Sequence, residues 1–148
     1  MEELFGLPAH PLLVHFPVVA IPALTLMAFA MVVSPSFRRR YGQAISLFGI
    51  VTTIATILAA QSGEALADTF FNADAVDTHR SLGETLRLFV LGLTLTVIAS
   101  TVMIRREGAT GKEVPAIAVS ITVFALAVLS AIWTIRTGHE GARLTWGN

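Results

Sequence analysis

The feature that most restricts this sequence is a series of four long apolar segments, at about 11–33, 43–66, 82–104 and 114–136. The hydrocarbon core of a bilayer is ~30 Å thick and an α-helix rises ~1.5 Å per residue, so about 20 apolar residues cross it. The first segment lies in a stretch without charge from Leu4 to Phe37. The second stays uncharged until Glu64, the third from Leu88 onward, and the fourth from Val114 to Ile135. None alternates strictly between apolar and polar residues, which disfavours a membrane β-barrel. In hydrocarbon every backbone N–H and C=O must bond within the protein, as in a helix or a closed barrel, and with the barrel disfavoured that leaves helices. The sequence therefore predicts an all-α fold, a four-helix transmembrane bundle running up-down-up-down, as a single domain over residues 1–148.

Composition narrows the function. Charged residues make up only 14% of the chain, against ~25% in ordinary soluble domains. The net charge is zero, so nothing points to a nucleic-acid partner. With no cysteine, disulfides, thiolate zinc sites, iron–sulfur ligation and covalent haem attachment are excluded. The start, with Glu2 and Glu3 ahead of a long uncharged stretch, does not fit a cleaved signal peptide. No nucleophile–base pair or phosphate-binding glycine loop stands out, so the chain does not read as an enzyme on its own.

The connections suggest an orientation. Ser34-Pro35-Ser36 ends the first helix and Arg38-Arg39-Arg40 follows. Asp68 to Ser81 reads as a polar loop, and Ser81-Leu82-Gly83-Glu84 as a capping box opening the third helix. The first and third connections hold six bases: Arg38, Arg39, Arg40, Arg105, Arg106 and Lys112. Basic residues accumulate on the cytoplasmic side, so this face is expected inside and both termini outside. Trp133 and Trp146 then fall at the outer interface, where such rings anchor helices.

On that topology all four histidines sit at one end. His10 and His15 open the first helix, His79 precedes the third and His139 follows the fourth. His15, between Val14 and Phe16, lies one turn inside, where a polar ring needs a neighbouring helix or a ligand. Pro11 suits the first helical position, which puts His10 near the N-cap. Five residues place His10 and His15 ~140° apart on a helix, so the two cannot grip one ion together. Pro17 and Pro22 are expected to kink this helix.

Small residues also recur at helical spacing: Gly49, Thr52, Thr56, Ala60 and Gly63 on the second helix, and Ser120, Ala127, Ala131, Thr134 and Gly138 on the fourth. They fit close helix packing, and they also fit a slot for a flat ring. A faint repeat runs through the chain. The first and third helices open near a histidine, and the second and fourth close on Gly63-Glu64-Ala65-Leu66 and on His139-Glu140-Gly141-Ala142-Arg143-Leu144. Two tandem hairpins would produce it.

HPLLVHFP (His10 to Pro17), THRSLG (Thr78 to Gly83) and GHEGARLTW (Gly138 to Trp146) together resemble bacterial membrane proteins of the domain of unknown function 2231 family. The departures are Ala142, where the family favours glycine, and Thr145-Trp146, where it favours Val-Tyr. Relatives fused to Rieske-type or cytochrome c-type domains imply membrane electron transfer. The resemblance implies a bacterial inner membrane subunit with a membrane or periplasmic redox protein as partner, in a homo- or hetero-oligomer. A four-helix bundle can hold haem b between two histidines from different helices, with His15 and His79 the expected axial pair, His139 next and His10 last. Gly83 would leave room for the ring, Asp77 and Glu84 would accept a ligand N–H, and Arg80, Arg87 or Arg136 would pair propionates. Two alternatives stay open. One is a zinc or copper site among Asp74, Asp77, His79, His139 and Glu140. The other is a cofactor-free accessory subunit whose histidines tie helices together.

Overall fold

The computed structural model describes the backbone of residues 3–4, 7–70, 73–110 and 116–146, and the side chains of 9–67, 76–106, 118–144 and 146. A two-residue antiparallel ribbon, β1 (Glu3–Leu4) with β2 (Leu7–Pro8), leads into four helices. These are α1 (Ala9–Val33), α2 (Pro35–Phe70), α3 (Ala73–Thr110) and α4 (Ala116–Trp146). All four are long and apolar enough to cross a membrane.

The helices outrun the apolar windows because polar turns continue them beyond the hydrocarbon. This corrects two local expectations. Asp68 to Ser81 is not a loop: α2 runs to Phe70 and α3 begins at Ala73. Ser81 is consequently inside α3, where its carbonyl accepts from Thr85 Oγ1 at 2.9 Å, and it caps nothing. A true cap stands between α1 and α2. Ser34 Oγ accepts from the Phe37 amide at 3.2 Å, with Pro35 in the first helical position. Pro17 and Pro22 lie within α1 without ending it.

Each helix packs against two neighbours, and α4 returns to α1 to close the ring. Contacts between opposite ends make consecutive helices antiparallel: His10 at the start of α1 bonds Ala59 late in α2, and Arg38 at the start of α2 bonds Ser100 late in α3. The interior holds Leu24, Ala28, Met31, Ile45, Leu93, Val97, Val123 and Ala127. A second cluster of Ile21, Leu86 and Val90, with Trp133 against it, lies toward the histidines. Exposed apolar residues such as Val19, Leu26, Leu47, Leu95 and Ile121 cover the outside. That distribution is what lipid, rather than water, requires.

The small residues of α2 serve the seam with α3. Thr94 Oγ1 donates to the Gly49 carbonyl at 3.1 Å and lies 2.9 Å from Thr53 Oγ1. A Cβ on Gly49 would sit 3.0 Å from Thr94 Oγ1, and one on Gly42 would sit 2.7 Å from Thr101 Oγ1. Close packing is thus the role of this stripe over most of its length. Gly42→Ala should therefore push α2 and α3 apart and cost about 1–3 kcal/mol. Gly83→Ala, whose Cβ would meet nothing within 4 Å, should leave stability unchanged. Thermal unfolding of the two detergent-solubilised variants checks the contrast.

Candidate functional site

The bundle brings together His10 and His79. Their ring centroids are 6.3 Å apart with planes at 83°. His10 is the second residue of α1, inside the helix rather than at its cap. Because α1 starts two residues before Pro11, His10 joins the interior stripe continued by Pro17, Ile21, Leu24, Ala28 and Met31. His79 lies in the second turn of α3, on the stripe continued by Leu86, Val90 and Leu93.

His10 Nδ1 lies 2.8 Å from the Ala59 carbonyl. A carbonyl only accepts, so Nδ1 carries the proton and a neutral ring keeps its lone pair on Nε2. Ser62 stands beside the pair, its Oγ 3.4 Å from Nδ1 and donating to the same carbonyl at 2.8 Å. Second partners of this kind orient metal-binding imidazoles. The acceptor here is backbone, not the expected Asp77 or Glu84. Asp77 is exposed, and Glu84 pairs with Arg80 at 3.7 Å.

Each ring rests on a glycine of the following helix. A Cβ on Gly63 would fall 2.9 Å from His10 Cε1, and one on Gly141 would fall 3.0 Å from His79 Cε1. In both cases Cε1 is nearest and Nε2 farthest, at 3.5 and 3.8 Å. The two hairpins therefore present their histidines in the same way, which gives the faint sequence repeat a structural counterpart. Gly83, one turn beyond His79, borders open space. Two buried polar atoms here, His79 Nδ1 and Thr137 Oγ1, have no hydrogen-bond partner among the described residues, although the Thr137 backbone interacts with the His79 ring.

His15 does not join this pair. It is exposed, and its Nδ1 bonds the Pro11 carbonyl of its own helix. The ~140° that separates it from His10 turns one ring inward and the other outward. The expectation that His15 needs a neighbouring helix is corrected, because a local carbonyl satisfies it. His139 is exposed too, and its neighbour Gly141 is the residue that meets His79. Position alone could not rank His10 above His15 while the helix start was misplaced by two residues.

The arginines surround the site without entering it. Arg80 reaches Glu64 of α2 at 3.8 Å as well as Glu84. At this exposure such pairs contribute about 1 kcal/mol or less. Arg136 stacks 5.1 Å from the Trp133 ring, which meets Phe89 edge-on at 5.0 Å. Arg87 is half-buried on α3 and Trp146 is exposed. Among the described residues no three His, Asp or Glu side chains converge as a metal site, and the Asp74 side chain lies outside the described residues.

These features define a small multi-pass membrane bundle with two imidazoles facing each other at one end. A family model described as predicted membrane protein (DUF2231) matches residues 6–148, and the chain belongs to that family. No match was found among curated proteins or among solved structures.

The glycine contacts generate a paired expectation. Gly63→Ala and Gly141→Ala should each displace a histidine ring and lower the unfolding temperature by several degrees, on the order of 1–2 kcal/mol. Gly138→Ala, with nothing within 4 Å, should not. Thermal unfolding in detergent, together with the histidine ring signals in NMR, distinguishes the two outcomes.

Proposed function

We propose that this protein is an electron-transfer subunit of the bacterial cytoplasmic membrane that holds b-type haem between His10 and His79. The observation that carries the reading is the 6.3 Å separation of two imidazole centroids from facing hairpins. An iron bonded to two ring nitrogens at ~2.0 Å each holds the ring centroids roughly 6 Å apart. The Ala59 carbonyl supports it by directing the lone pair of His10 to Nε2. Gly63 and Gly141 let both rings seat closely, and Gly83 leaves space beside His79. Haem, when bound, supplies one-electron chemistry. Arg87 and Arg136 are the candidates to pair its propionates, since Arg80 is engaged by Glu64 and Glu84. The arginine-rich end would face the cytoplasm, which puts the histidines toward a periplasmic or membrane redox partner.

The test is an absorption spectrum of protein purified after expression with ample haem precursor. A Soret band that shifts on dithionite reduction is expected. His10→Ala and His79→Ala should each abolish it, whereas His15→Ala and His139→Ala should retain it. A wild-type spectrum without the band would overturn the reading.

One observation favours a second reading. The His10 bond to Ala59 is complete in itself and already ties α1 to α2. A cofactor-free accessory subunit would ask no more of it. In that case His10→Ala lowers the unfolding temperature by about 1 kcal/mol's worth of stability, and no variant has any spectral consequence.

A further inference from the structure

At the opposite end of the bundle, far from the histidines, one arginine turns inward. Arg38 stands in the second turn of α2 and is only 9% exposed. Its guanidinium donates one hydrogen bond, to Ser100 Oγ of α3 at 3.2 Å. Its Nε is buried and has no acceptor among the described residues. Ser100 is a neutral partner. Among the described side chains no acid lies at this end, for Glu64, Asp77, Glu84 and Glu140 all belong to the histidine end. The two acids of this end, Glu107 and Glu113, lie outside the described side chains; with no counter-charge among the described residues, a nearly buried cation is costly. Its position adds to the cost, because the N-terminal end of a helix is itself positive and α2 has no acidic residue in its first turn. Arg39, Arg40 and Arg105 are exposed around it and add charge of the same sign.

Topology does not require this arrangement. Exposed arginines alone orient a helix, and Arg39, Arg40 and Arg105 do that. Arg38 instead places a planar fork between α2 and α3, near the basic end of the bundle. Beside it, Phe37 and Tyr41 pack at 4.9 Å, with Arg40 over the Tyr41 ring at 5.5 Å. An oxyanion is the ligand such a fork takes, since it accepts parallel N–H bonds and neutralises the cluster. Basic pockets between membrane helices bind phosphate headgroups in this way.

We propose that Arg38, seated on Ser100 and flanked by Arg39, Arg40 and Arg105, binds the phosphoryl group of an anionic phospholipid in the α2–α3 groove. The exposed apolar side chains of α2 and α3, among them Leu47, Ile50, Leu95 and Val102, favour lipid over free phosphate, because a lipid's tails can lie along them while its phosphate meets the fork. The site is independent of any cofactor at the histidine end.

The test uses the full chain in a neutral detergent, titrated with phosphatidylglycerol, phosphatidylcholine or inorganic phosphate. Unfolding temperature and native mass spectrometry are the readouts. Phosphatidylglycerol should be retained and raise the unfolding temperature, and the other two should do neither. Arg38→Gln should weaken its binding about tenfold, while the double variant Arg39→Gln/Arg40→Gln should weaken it less. Arg38→Lys keeps the charge but not the fork, so it covers the case in which the glutamine variant fails to fold. It should bind several-fold more weakly than wild type. The proposal is overturned if Arg38→Lys binds as wild type does. It is equally overturned if the double variant loses as much as Arg38→Gln, or if inorganic phosphate binds as well as the lipid.

Discussion

Everything in this structure follows from the absence of water in the bilayer interior. A backbone amide that cannot bond to water must bond to its own helix, and this makes four uncharged segments into four helices. The same constraint acts on side chains. Thr52, Thr53, Thr56, Thr96 and Thr101 each return their hydroxyl to a carbonyl of the preceding turn. Buried hydroxyls so satisfied let α2 and α3 approach closely at Gly42 and Gly49 without an unpaired polar group. Among the described residues five buried polar atoms lack a partner: Thr25 Oγ1, Arg38 Nε, His79 Nδ1, Ser130 Oγ and Thr137 Oγ1.

The bundle consists of two hairpins that repeat one local arrangement. In each, a histidine early in the first helix leans its Cε1 edge against a glycine late in the second: His10 on Gly63, and His79 on Gly141. Glycine is needed at both positions because any larger residue would occupy the volume of the ring. The repeat brings the two imidazoles together across the ring of helices with their planes nearly perpendicular, and only their hydrogen bonding differs. His10 is held by the Ala59 carbonyl, whereas His79 Nδ1 has no such bond. A site built by two equivalent hairpins has one ligand from each, a natural arrangement for a ligand that needs two axial groups.

The two ends of the bundle carry different electrostatics. Among the described residues the histidine end mixes acids and bases, with Arg80 linked to Glu64 and Glu84 and Arg143 linked to Glu140. Among the described side chains the opposite end carries only bases, and Arg38 is drawn into the interior there. The same asymmetry supplies the positive charge of the proposed lipid site at Arg38.

Much of the fold was legible in the sequence, because hydrophobic length alone dictates spans and short connections make them antiparallel neighbours. The placement of all four histidines at one end followed from the same counting. The helix ends were not legible. The turns at 68–70 and 73–81 are polar for solvent reasons and helical for backbone reasons, and composition reports only the first. Which of His10 and His15 faces inward depends on helix phase, set by where α1 begins and how it packs on Ala59. The sequence by itself determined a four-span bundle with its polar chemistry at the ends, since the cost of polar groups in hydrocarbon permits little else. Only the tertiary structure decided that His10 meets His79 and that Arg38 meets Ser100, because rotation about a helix axis is governed by contacts with neighbours far away in the chain.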